Sequence, residues 1–253
     1  MAKKMYQNEH EQQDNGILRF LGRGAAFNPA MGNTSAYIRE GGRLLLLDCG
    51  EAVFERLIAR QVLDGVKEVY FTVSHLHSDH CGSLGTTVLY CRERVGAKVF
   101  MLLPPREEAY TASVRQLLSL FGVAEDDYEV MDPARMPAFQ AFSSLRYART
   151  VHSPGMTCFS FVLETPQGGV FYSADSHTTD ALEAFLRTHD RVAMIYMETT
   201  DRDVPGGVHL PLSRLQAVLT PELAARTRLM HLGSSRCIDM AKEAGFQIVS
   251  AEE

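Results

Sequence analysis

Residues 74–82 read S-H-L-H-S-D-H-C-G and bring four potential metal ligands, His75, His77, Asp79 and His80, within six positions. Three imidazoles and a carboxylate are the donor set expected for zinc or a similar divalent ion. The run before them, Val69, Tyr70, Phe71, Thr72 and Val73, has the apolar, β-branched and aromatic character of a buried strand. A segment with helical spacing follows. The ligands therefore fall on the turn at a strand's C-terminal end, where α/β proteins place their sites. No other stretch restricts the fold as strongly.

The chain has 253 residues, 45% hydrophobic and 22% charged, enough for a substantial core in one α/β domain. That domain is expected over residues 17–253. Residues 1–16 are polar, lack the apolar centre of a secretory signal and read as a flexible tail. No run of 18 apolar residues is present, so no transmembrane helix is expected. The five cysteines are scattered, with no C-x-x-C. They suit a reduced cytoplasm, bacterial or that of a host if phage-encoded, better than a disulfide framework. Cys81, beside the ligand motif, reads as a small packing residue. A net charge of −6 argues against a large non-specific nucleic-acid surface. A small anionic substrate held by metals needs no basic surface.

No internal repeat or low-complexity linker is visible. Residues 16–24 read as a first strand ending in G-R-G, more simply a tight turn than a phosphate loop. Residues 33–39 and 43–48 form a predicted hairpin around Gly41-Gly42, and the second arm ends in D-C-G. Helices are expected over 51–63, 83–94, 107–121, 179–188, 211–225 and 235–244. Further strands are expected over 98–103, 159–164, 169–174, 192–197, 228–232 and 247–249, with a weak strand-like signal over 128–151. Strands cluster in two groups with helices between and after them. That pattern suits a four-layer αβ/βα sandwich.

The pattern H-x-H-x-D-H after a hydrophobic strand resembles the signature of the metallo-β-lactamase superfamily. Three later positions match that family's ligand motifs in order and context. They are His152 in R-T-V-H-S-P-G, Asp175 in Y-S-A-D-S and His231 in R-L-M-H-L-G-S-S-R. The resemblance implies that one metal takes His75, His77 and His152. It implies that the other takes Asp79, His80 and His231, with Asp175 bridging both. Two cations about 3.5–4 Å apart lower the pKa of a shared water and clamp a phosphoryl or carbonyl oxygen. Two Zn2+ ions are expected, with Mn2+ or iron as alternatives.

Glu198 in I-Y-M-E-T-T and His209 in G-V-H-L-P-L-S-R-L-Q-A resemble the Glu–His pair of the ribonuclease Z branch. Carried over, His209 protonates the leaving oxygen of a phosphodiester and Glu198 orients it and raises its pKa. The expected catalytic residues are thus Asp79, which doubles as a ligand, Glu198 and His209. The alternative reading is a helix-capping His209 and a solvated Glu198. Ribonuclease Z often carries a long tRNA-gripping arm between the His152-type and Asp175-type ligands. Here only residues 153–174 lie between them, enough for one hairpin. The chain therefore resembles more closely the anti-Pycsar phosphodiesterases, which degrade cyclic mononucleotide immune signals and form homodimers. This resemblance implies hydrolysis of cCMP or cUMP, with cAMP and cGMP as further candidates, and a role in immune evasion. A tRNA 3′ endonuclease and a nucleotide-sequestering protein are the alternatives. Helix 107–121 is a candidate dimer interface. Phe27, Asn28, Asn33 and His177 lie near pocket loops, but each has an equally good structural explanation, so none joins the site set.

Overall fold

The computed structural model describes residues 16–251. The expected tail lies outside them apart from Gly16. Six strands make the first sheet, in spatial order β1 (Arg19–Gly22), β2 (Ser35–Glu40), β3 (Arg43–Leu47), β4 (Glu68–Thr72), β5 (Lys98–Leu102) and β6 (Glu129–Met131). The first two pairings are antiparallel and the next three parallel. The second sheet uses β7 (Ser144–Thr150), β8 (Cys158–Thr165), β9 (Gly168–Tyr172), β10 (Val192–Glu198), β11 (Thr227–Met230) and β12 (Gln247–Ile248). It repeats the scheme: two antiparallel pairings, then three parallel. The topology is thus duplicated although the sequence shows no repeat, because pairing order depends on apolar pattern and connection length rather than residue identity.

Helices in the first half are α1 (Val53–Ala59), α2 (Ser78–Cys81), α3 (Leu84–Tyr90) and α4 (Glu108–Leu120). Those in the second are α5 (Asp180–Thr188), α6 (Leu212–Val218), α7 (Pro221–Ala224) and α8 (Ser235–Glu243). The second sheet's strands show why both of its faces are covered. Phe161, Leu163, Val170, Tyr172, Tyr196 and Met230 join the core shared with the first sheet. Their neighbours Val162, Phe171, Ile195, Met197 and Leu229 point the other way, onto α5, α6 and α8. Successive strand side chains alternate faces, so a continuous apolar run serves two cores at once. The result is the expected four-layer αβ/βα sandwich.

Several expected elements are divided. The helix over 211–225 breaks at Leu219, which is extended ahead of Thr220-Pro221. Proline disfavours helical backbone before it, and the Thr220 side chain then caps α7 by accepting from the Leu223 amide. The helix over 83–94 widens after Tyr90 into a π-turn, Cys91–Val95, closed by Gly96 at φ 71°. The helix over 51–63 is shortened to α1. The weak segment 128–151 holds β6, a 3-10 turn at Pro133–Arg135 and β7. The G-R-G glycines are not a turn: Gly24 bridges to both Asn33 and Leu232, and a Cβ on Gly22 would lie 2.3 Å from the Asn33 carbonyl oxygen. Close backbone approach, rather than φ, demands glycine there. All five cysteines are buried and free, and Cys81 Sγ donates to the His77 carbonyl at 3.1 Å. Among the described residues, no helix is long and apolar enough to cross a membrane.

Candidate metal centre

Strand direction explains how distant residues meet. β3 and β4 run parallel, and so do β9, β10 and β11. β7 is two antiparallel steps from β9, so it points the same way. Their C-terminal ends carry Asp48, Ser74-His75, His152, Asp175, Glu198 and His231. The loop after β4 passes through His77 and enters α2, whose single turn holds Asp79 and His80.

Two groups form around Asp175. His75 Nε2 lies 3.0 Å from His77 Nδ1, which lies 3.1 Å from His152 Nε2. Asp175 Oδ2 faces this group, 3.9 Å from His75 and 3.6 Å from His152. On the other side, Asp79 Oδ2 lies 3.4 Å from His80 Nε2 and 3.2 Å from His231 Nε2. Asp175 Oδ1 faces those nitrogens at 3.2 and 3.3 Å. Each carboxylate oxygen of Asp175 thus addresses one group. Donors bound tetrahedrally at about 2.0–2.1 Å sit about 3.3 Å apart, which is the spacing seen. His80 Nε2 and Asp175 Oδ1 are buried without a hydrogen-bond partner, and buried polar atoms of this kind call for an unseen ligand. The residues therefore fit a pair of divalent cations, and the donor set is that of a divalent metal site.

The outward nitrogens of the imidazoles are held too. His80 Nδ1 donates to Asp48 Oδ2 at 2.8 Å, His152 Nδ1 donates to the Val208 carbonyl at 2.8 Å, and His75 Nδ1 lies 3.0 Å from Ser74 Oγ. These contacts fix Nε2 as the inward nitrogen. Asp48 also accepts from the Ser74 amide at 2.6 Å and hydroxyl at 2.9 Å. Neither Asp48 nor Ser74 was in the expected site set. The signal was the D-C-G that ends the Leu44–Leu47 run, beside the motif strand. Replacing Asp48 by Asn is expected to weaken metal affinity about 10- to 100-fold, read by metal titration.

The local backbone is constrained. Asp48, Ala174 and His231 all adopt positive φ, at 63°, 49° and 56°. Such conformations cost on the order of 1–3 kcal/mol each and persist where surrounding structure dictates them. Gly50 shows the crowding: a Cβ there would sit 1.9 Å from the Asp79 carbonyl oxygen. Gly50→Ala is expected to push α2 away, costing about 1–3 kcal/mol. The checks are a lower melting temperature and reduced metal content.

Glu198 is fully buried at the end of β10. It accepts from the Ser176 amide through Oε1 and from His209 Nδ1 through Oε2, the latter at 2.9 Å. The solvated-Glu198 alternative is thereby corrected. His209 caps no helix either: it precedes α6, whose N-cap is Pro211. Asp175, Glu198, His209 and His231 also form a third group of potential ligands. There Glu198 and the Nδ1 atom of His209 already engage each other and the Ser176 amide.

Charge in the cluster is finely divided. Burial pushes the His75 imidazole well below its ordinary pKa, and the neighbouring His80 charge adds to that. Burial also lowers His152, only partly offset by the Asp175 charge. For His231, burial is outweighed by the Asp175 charge, the Asp79 hydrogen bond and the Glu198 charge, which lift it to about 10. His80 is likewise raised, its burial overcome by Asp175 and Asp48. For Asp175, burial is outweighed by the charges of His231 and His80, which hold it well below the carboxylate range. Burial depresses His209, but the Glu198 hydrogen bond and charge prevail, so its pKa stands above the ordinary value.

A cavity of about 510 Å³ opens over these groups, with His77, Asp79, Asp175, His209 and His231 in its wall. That volume suits a small molecule. A second, of about 700 Å³, shares His152 and Val208 with it. Residues 153–174 form only a short loop and the β8–β9 hairpin. Of the four loop residues left outside the site set, Asn28 Nδ2 donates to the Leu232 carbonyl at 3.0 Å and Asn33 Oδ1 accepts from the Ala52 amide at 2.7 Å. The His177 amide donates to the Val151 carbonyl at 2.6 Å, while Phe27 makes no comparable contact among the described residues and is 99% exposed.

The anti-Pycsar protein Apyc1 of Saccharibacillus brassicae is 28% identical over 233 residues, covering 87% of this chain and 90% of that protein. Among solved structures, the metallo-β-lactamase fold protein YhfI of Bacillus subtilis superposes with a TM-score of 0.67 at 19% identity, covering 91% of this chain and 93% of that one. The short form of human tRNase Z superposes with a TM-score of 0.62 at 16% identity, covering 93% and 96%. The family model described as anti-Pycsar protein Apyc1 matches residues 17–252, and the chain belongs to that family.

Proposed function

We propose that the protein is a dinuclear metal-dependent phosphodiesterase that hydrolyses 3′,5′-cyclic nucleotides, cCMP and cUMP as well as cAMP and cGMP, to nucleoside monophosphates. The observation that carries this reading is the Glu198–His209 pair set beside the ligand cluster, with His209 Nδ1 only 3.8 Å from Asp175 Oδ2. His75, His77 and His152 would hold one cation, Asp79, His80 and His231 the other, and Asp175 both. Zinc is our assignment. Bound cations would supply Lewis acidity toward a phosphoryl oxygen and lower the pKa of an attacking water.

The chain's own residues handle the proton. Glu198 accepts the Nδ1 proton of His209, which leaves Nε2 for the substrate. Protonated His209 donates from Nε2 to O3′ as the P–O3′ bond breaks. Water adds to phosphorus and releases one proton to solvent as His209 gives one to O3′, so one H2O is consumed in net and the product is a nucleoside 5′-monophosphate. Residues 17–253 work as one domain in this reading, because both sheets supply site residues. The description of the relatives as anti-Pycsar proteins supports a role against cyclic-nucleotide immune signals. The buried free thiols fit a reducing cytoplasm. A homodimer is supported by Leu120 and Phe121, 77% and 42% exposed at the end of α4, and solution mass tests it.

Metal-loaded protein incubated with the four cyclic nucleotides is expected to release nucleoside monophosphates. No release above a His77→Ala control would sink the proposal. Accurate trimming of precursor tRNA would favour the endonuclease instead, and ligand recovered intact after long incubation would favour sequestration.

A further inference from the structure

Phe27 is the one large apolar side chain in the wall of the site cavity that the chain leaves fully exposed. Isolated exposed apolar residues are ordinary on protein surfaces. Two features set this one apart. The first is its mounting. The Asn28 amide donates to the Ala25 carbonyl at 2.9 Å, closing a turn with Phe27 at its third position. The Ala25 amide and Asn28 Nδ2 both donate to the Leu232 carbonyl, at 3.2 and 3.0 Å, and Gly24 bridges to Asn33 and Leu232. The turn is therefore tied to the strand end that carries His231. Among the described residues nothing packs on the ring, so the turn holds an aromatic face in water beside the cavity.

The second feature is the chemistry of the cavity. Its wall holds His, Asp and Glu side chains suited to a phosphate and its cations, and beside them Val208 is too small to cover the face of a nucleobase. Ala26 and Phe27 supply apolar surface at the rim. A phosphate seated on the cluster leaves the base to project toward the mouth. Aromatic rings stack on any base, because every base has a π face.

We infer that Phe27 is the stacking platform for the substrate's nucleobase, an inference that rests on the cyclic-nucleotide reading above. Its contribution falls on binding rather than on the bond-breaking step, since the ring touches no reacting atom.

The test compares wild type, Phe27→Ala and Phe27→Tyr on cAMP and on base-free ribose 3′,5′-cyclic phosphate. Phe27→Ala should raise KM for cAMP by about 5- to 150-fold, the range of a lost base–aromatic stack, with kcat within about twofold. Phe27→Tyr should restore the wild-type KM. The base-free substrate should show no such rise. An unchanged KM for cAMP would overturn the inference, as would an equal rise for both substrates. So would a KM change that tracks a change in solution mass, which would assign Phe27 to a contact between copies. Wild type inactive on both substrates would instead defeat the phosphodiesterase reading, and this inference with it.

Discussion

His209→Ala is expected to lower kcat for cyclic-nucleotide hydrolysis by about 10²- to 10⁴-fold, the usual worth of a positioned general acid, with metal content unchanged. The two readouts together are decisive, because His209 also belongs to a group that could ligate a cation. Loss of a metal along with activity would make it a ligand. The pH profile adds a third readout. The His209 pKa is raised by Glu198, so its proton persists at higher pH than on a free imidazole, near 6.5. Activity that needs this proton should fall as pH rises through the raised value. In Glu198→Gln the charge that holds the proton is gone, and the alkaline limb should move to lower pH.

Asp175→Ala is expected to cut activity by at least about 100-fold, since a ligand common to both sites should matter more than the outer-shell partners of one, whose loss costs about 10- to 100-fold. The reason is its geometry. Its two oxygens face different histidine groups, Oδ1 toward His80 and His231, Oδ2 toward His75 and His152. Removing it deprives both candidate sites of a donor. It also removes the carboxylate that offsets repulsion between two cations. Elemental analysis should show metal falling below two ions per chain, and Asp175→Asn should behave similarly because it keeps the shape without the charge.

Much of this centre was legible in the sequence. Four of the seven proposed ligands, His75, His152, Asp175 and His231, lie just past strand ends and the other three follow His75 in the same motif, and a strand's end shows itself as an apolar run followed by polar residues. The two-group pattern of strands led directly to the layered fold. Asp48 was not legible in the same way. It resembles any polar residue after a strand, and its function depends on β3 pairing beside β4, a long-range fact. Residues 211–225 read as one helix because apolar spacing continues across Leu219, although Thr220-Pro221 carries the signal for a break. The roles of Asn28 and Asn33 were undecidable, because both bond to backbone groups remote in sequence. Gly22 and Gly24 look like turn glycines in the sequence for a related reason: the backbone that crowds them comes from later in the chain.

The division of the ligands between two sheets has a consequence for the protein's fate in the cell. Each candidate histidine group draws two members from the first half, His75 and His77 or Asp79 and His80, and two from the second, His152 or His231 with the shared Asp175. Neither half alone can assemble a complete set. Cation uptake therefore rewards the mated arrangement of the halves. A ligand that binds only the native state at about 100 times its Kd adds about 2.7 kcal/mol of stability. Differences of about 1–2 kcal/mol already change how much of a protein survives proteolytic triage. Under metal starvation the cell would hold fewer copies of this chain, as well as less active ones, and its steady-state abundance would follow metal supply.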